Sequence, residues 1–119
     1  MRFGSFVCRI RRQSPSFLSS AEVPLADSNP IVSEERINIP MRDGTLLAAS
    51  VARPAGAGPF PVVLTRTPYD RTNQALAGEM WAKAGYAFVR EDVRGRNDSE
   101  GEFYPFRDDA LDGYDTIEW

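Results

Sequence analysis

At 119 residues, 42% hydrophobic and 26% charged, the chain has the composition of one small globular domain able to bury a core. A net charge of −3, a sequence pI near 4.9 and the lack of a long basic run in the candidate domain argue against a nucleic-acid surface, and charge indicates no other partner. A single cysteine, Cys8, and no histidine exclude an internal disulfide and argue against a zinc site. No apolar run reaches bilayer length, so the expectation is a soluble chain without a membrane span, compatible with a reducing cytoplasm.

The first twenty residues hold four arginines, five serines and no acid. That composition has features of an organelle transit peptide, but a disordered leader or an upstream extension is the preferred reading. Residues Ser14 to Pro30, rich in serine and carrying three prolines, read as a flexible linker, so residues 1–30 form a leader and the domain is expected over 31–119.

Alternating residues from Glu35 to Met41, the interruption Arg42-Asp43-Gly44 and the run Thr45 to Pro54 predict a β-hairpin, with Gly44 supplying the positive φ of a tight turn. After the loop AGAGPF, the apolar run Phe60 to Thr65 predicts a strand buried on both faces, the hydrophobic centre of the domain. Asn73 to Ala84 predicts a helix, with Leu76 and Met80 and, on a neighbouring face, Trp81 and Ala84 at helical spacings, and a stop at Gly85. Tyr86 to Val93 predicts the next strand, which makes a parallel strand-helix-strand crossover. Asp108 to Trp119 predicts a second helix, with Asp108 and Asp109 against the positive end of its dipole and Ala110, Leu111, Tyr114, Ile117 and Trp119 as its buried stripe. The fold class is thus α/β. There is no internal repeat.

The order of four segments carries a resemblance: IPMRDGTLLAASVARP, FPVVLTRTPYDR, WAKAGYAFVREDVRGRNDSEGEF and DDALDGYDTIEW. Over Ile31 to Trp119 the chain resembles the N-terminal part of the catalytic domain of the cocaine esterase and Xaa-Pro dipeptidyl-peptidase-like (CocE/NonD) α/β hydrolases, which include α-amino acid ester hydrolases. The resemblance implies a serine hydrolase that cleaves esters, amides or peptides through an acyl-enzyme, with no metal or organic cofactor. Tyr69 matches the hydroxyl that, with a backbone N–H beside the nucleophile, stabilises the tetrahedral oxyanion. A phenol suits that task because it stays neutral at neutral pH and still donates a hydrogen bond to developing charge.

Asp70 and Arg71 flank Tyr69 and are candidates to orient it or meet substrate, although loop charges are most often solvated. Asp92 and Arg94 match the family's Asp-x-Arg-Gly motif. They read as structural, a charge pair or backbone-bonding network at the rim of the site, with Gly95 permitting the turn. Ser99 lies in a polar loop rather than at an elbow and is expected to shape the turn. Asp108, Asp109, Asp112 and Asp115 lack the spacing of a metal loop and read as a solvated helix face. Trp81 and Trp119 read as packing anchors.

The nucleophile elbow, acid and histidine that the resemblance calls for are absent from the 119 residues, which leaves no imidazole to act as base. The expectation is therefore a piece of a hydrolase core, inactive by itself, whose PVVLT strand becomes an exposed edge that invites unwanted pairing. The alternative reading is a degenerate, non-catalytic product or a module that acts only by binding another chain. Oligomeric state and substrate do not follow from the sequence.

Overall fold

The structure, a computed structural model, describes residues 30–119, so the leader reading of 1–30 lies almost wholly outside the described residues. Strands β1 (Ile31–Pro40) and β2 (Leu46–Pro54) form the expected antiparallel hairpin. Its turn closes with Gly44 N–H donating to the Met41 carbonyl at 2.9 Å, and Gly44 takes φ 85° there, where a side chain would strain the backbone. Strand β3 (Val62–Thr67), a short 3₁₀ turn (Arg71–Gln74), helix α1 (Ala75–Lys83) and strand β4 (Ala87–Asp92) then make the parallel crossover, and helix α2 (Asp109–Glu118) follows.

The four strands lie in the order β1-β2-β4-β3, which leaves β3 on an edge, as the resemblance implied. Register sorts the side chains into two faces, because partners opposite one another in a ladder point the same way. Ile39, Leu47, Ala49, Val89, Leu64, Glu91 and Arg66 share one face; Ala48, Ser50, Ala52, Phe88, Arg90, Thr65 and Asp92 share the other. Helix α1 covers the second face, with Gly78 lying against Ala52 and Phe88. Helix α2 meets the first through Thr116 and Glu91. Helices on both faces of a sheet are the α/β layering expected from the alternation of elements.

In three elements burial departs from the apolar pattern of the sequence. The third strand runs two residues later than its apolar run, and it is half-buried rather than covered on both faces. With a neighbour on one side only it is not the hydrophobic centre, which instead lies on the hairpin at Ile39, Met41, Leu47 and Ala49. In α1 the small residues Gly78 and Ala82 are buried, whereas Leu76 is 81% exposed and Met80 and Ala84 are exposed as well. Small side chains let the helix axis come close to Ala52 and Phe88, and that approach turns the large ones outward. Trp81 is half-buried and packs edge-on against Tyr86 at 5.2 Å.

The third departure is the largest and corrects the expected buried stripe: α2 sits with its polar side inward. Asp112 and Thr116 are buried, while Ala110, Leu111, Tyr114, Ile117 and Trp119 are exposed. Its polar side is held by Arg42 on Asp115, Arg94 on Asp112 and the Thr116 hydroxyl on Glu91.

Beyond β4 the chain turns back at Gly95, φ 71°, where an added Cβ would stand 2.1 Å from the Phe103 backbone nitrogen. Gly95→Ala is expected to cost on the order of 2–4 kcal/mol in urea unfolding. Leu76→Gln, at an exposed helical site, is expected to change stability by no more than about 0.5 kcal/mol in the same experiment.

Candidate functional site

Strand β4 ends in three consecutive charges, Arg90, Glu91 and Asp92, all buried on a central strand. Unpaired, each would carry a desolvation cost of several kcal/mol, so partners have to come from neighbouring elements. Alternation sends Arg90 and Asp92 to the α1 face and Glu91 to the α2 face.

On the α1 face Asp92 receives Arg71 twice, from its backbone N–H at 2.8 Å and from its guanidinium. Arg71 is 3% exposed, so it is not the solvated loop charge expected from its position. Its Nε donates to the Ser50 hydroxyl at 3.0 Å and its Nη1 to Asp98 at 2.9 Å. Its Nη2 reaches the Glu35 carbonyl at 3.2 Å. That carbonyl is freed by a bulge in β1, where Glu35 and Arg36 stand opposite Ser50 alone. Arg90 reaches the Glu35 carboxylate at 3.1 Å.

This network underlies the loop that carries Tyr69. Tyr69 follows the end of β3, its side chain is 80% exposed, and its backbone is tied at both ends. Its N–H donates to the Thr67 hydroxyl at 3.0 Å, and its carbonyl accepts from the Asn73 amide at 3.1 Å. Asp70 adopts φ 79°, unusual for a residue other than glycine. Its carboxylate accepts from the Thr72 hydroxyl at 2.7 Å and the Thr72 N–H at 2.9 Å, and these two bonds hold it below the usual carboxylate range. The loop therefore presents a phenol to solvent on a fixed backbone, a geometry suited to a hydrogen-bond donor that is not rearranged during reaction.

Asp92 and Arg94 do not pair with each other. Arg94 forks onto Asp112 of α2 at 2.7 and 2.9 Å and also reaches Asp43 and Thr45 of the hairpin turn, each at 2.7 Å. Arg42 clasps Asp115 at 2.7 Å, and Arg66 joins Glu91 at 2.6 Å. Asp112 and Asp115 are thus ion-pair partners and not a solvated face, because arginines converge on them from the hairpin turn and from the end of β4. Ser99 bridges two backbones, donating to the Asp92 carbonyl at 2.6 Å and accepting from Ala48 N–H at 2.8 Å.

Of the residues that the sequence pattern singles out, the structure gathers Tyr69, Asp70, Arg71 and Asp92 around one loop and turns Arg94 toward α2. Glu35, Ser50, Arg96 and Asp98 carry no local motif that marks them. The legible signal for them was the run of three charges inside a strand, which requires unnamed partners. Among the described residues no group of acidic or cysteine side chains is gathered to hold a metal ion, and no helix is long and apolar enough to cross a membrane.

Comparison with known proteins finds that residues 43–119 match the family model described as X-Pro dipeptidyl-peptidase (S15 family). The cocaine esterase of Rhodococcus sp. (strain MB1 Bresler) is 41% identical over 101 residues, covering 80% of this chain and 17% of that protein. Among solved structures, an alpha-amino acid ester hydrolase superposes with TM-score 0.65 at 30% identity, covering 90% of this chain and 22% of its own. A CocE/NonD family hydrolase from Staphylococcus aureus superposes with TM-score 0.67 at 27% identity, covering 75% of this chain and 20% of its own. The chain thus spans about a fifth of the length of these relatives.

The ion pairs give stability a pH dependence of two signs. Arg94 and the Thr45 backbone hold Asp43 down at about 2, so its contribution is complete above the usual carboxylate value and is lost as pH falls toward 2. Burial pushes Glu91 up, only partly offset by its bonds to Thr116 and Arg66, so its contribution declines as pH rises from 4.5 through the raised value. Thermal unfolding from pH 2 to 7 is expected to show a shallower acid limb in Asp43→Asn and a flatter neutral side in Glu91→Gln.

Proposed function

The chain belongs to the X-Pro dipeptidyl-peptidase (S15) family, and from that premise we propose that it forms part of a serine hydrolase whose oxyanion is stabilised by the Tyr69 hydroxyl. The observation that carries the reading is the placement of Tyr69: an exposed phenol directly after β3, within TPYDR, on a backbone bonded at both ends. The reaction is acyl transfer. A serine attacks an ester or amide carbonyl, the carbonyl oxygen gains negative charge, and a donor already aimed at it lowers the barrier without reorganisation.

The names of the relatives support an ester or peptide substrate, since they include a cocaine esterase, an alpha-amino acid ester hydrolase and an aminopeptidase from a marine sediment archaeon. Asp70, Arg71 and Asp92 support Tyr69 in this reading, and Arg94 holds the hairpin turn against α2 at the rim. Within these 119 residues there is no histidine to take the proton from a serine, so the chain by itself is proposed to be inactive.

A chimera tests the proposal: residues 31–119 replace the matched stretch of the Rhodococcus cocaine esterase, and turnover of a chromogenic ester is followed. Activity is expected in the chimera and not in the 119-residue chain. Tyr69→Phe is expected to lower kcat of the chimera by about 100-fold to 1000-fold, the usual loss for one oxyanion donor. A chimera indifferent to that substitution overturns the reading.

A further inference from the structure

The geometry points to Arg96 and Asp98, on the loop after β4, as positioning residues that clamp the Tyr69 loop from outside; this rests on the reading of Tyr69 as oxyanion donor. The two grip that loop on either side of the tyrosine. Arg96 Nε donates to the carbonyl of Pro68 at 3.0 Å, the residue before Tyr69. Asp98 accepts from Arg71 Nη1 at 2.9 Å, two residues after it.

The clamp is itself braced. The Arg96 guanidinium lies over the Phe103 ring at 5.2 Å, which limits its rotation. Asn97, at φ 49°, donates from its amide to Asp92 at 3.1 Å, so the loop is anchored to the carboxylate that also holds Arg71. Gly95 N–H donates to the Glu100 carbonyl, and Glu100 N–H donates to the Leu46 carbonyl, each at 2.9 Å. The loop thus reaches from the start of β2 to the tyrosine loop. Arg71 and Asp92 are buried and fix the chain where the tyrosine loop passes into the 3₁₀ turn, whereas Arg96 and Asp98 are exposed and bear on the direction in which Tyr69 leaves the loop. A donor displaced by an ångström from a developing oxyanion loses much of its effect, which gives such a clamp catalytic consequence without contact to substrate.

The exposure of both side chains makes them testable without loss of the fold. Amide hydrogen exchange of the 119-residue chain is the first readout. Arg96→Ala and Asp98→Asn are each expected to speed exchange at Tyr69 N–H by about tenfold, with Val89 and Ala49 in the sheet unchanged and Arg96→Lys restoring most of the protection. Unchanged exchange at Tyr69 in both variants, or equal acceleration in the sheet, overturns the clamp. The second readout is kinetic, in the chimera. Arg96→Ala is expected to lower kcat by about tenfold at constant KM, and to add nothing in a Tyr69→Phe background. Loss that is additive with Tyr69→Phe overturns the clamp while leaving the oxyanion reading intact; no effect of Tyr69→Phe alone defeats the oxyanion reading itself.

Discussion

Three adjacent charges inside a central strand are the constraint from which much of this structure follows. Arg90, Glu91 and Asp92 are all buried, and the two-residue period of a strand sends them to opposite faces of the sheet. Each face must then supply counter-charges at a fixed height along β4. On one face Arg71 and Glu35 do so, which requires the start of the β3-α1 connection to fold back over the strand end and β1 to bulge. On the other, Arg66 does so and the neutral Thr116 hydroxyl adds a hydrogen bond, which draws in the end of β3 and the last turns of α2.

The same demand explains why α2 lies with its polar side inward. An apolar stripe of Leu111, Tyr114 and Ile117 would gain roughly 1.5–3 kcal/mol per large side chain if fully buried. Turning that stripe onto the sheet would, however, leave Arg94 without Asp112 and the buried Glu91 without the Thr116 hydroxyl, and losing such a partner costs on the order of 1–5 kcal/mol. Partnering the charges first leaves the apolar stripe outward.

The tyrosine loop gains its definition from this network. Arg71 contributes both its backbone N–H and its side chain to Asp92, so the chain direction just past Tyr69 is set by a buried ion pair. Tyr69 itself is free of packing. For the oxyanion role proposed above, this arrangement would place the order in the loop and leave the ring exposed.

Local chemistry made much of this legible in the sequence. The hairpin with Gly44 at its turn, the crossover of β3, α1 and β4, the stop at Gly85 and the position of Tyr69 after a strand all follow from residue spacing and backbone preference, which act over a few residues. The family could be read from the order of four segments. What only the tertiary structure decided was which side of each helix faces inward, that β3 is half-covered, that Arg71 is buried, and that Asp92 and Arg94 serve different partners. Periodicity locates an apolar stripe without saying whether a stronger demand lies on the opposite side of the helix. Here that demand was electrostatic, between residues 18 and 25 positions apart for α2 and 21 for the Arg71 pair, and such pairings exist only once the sheet has brought them together.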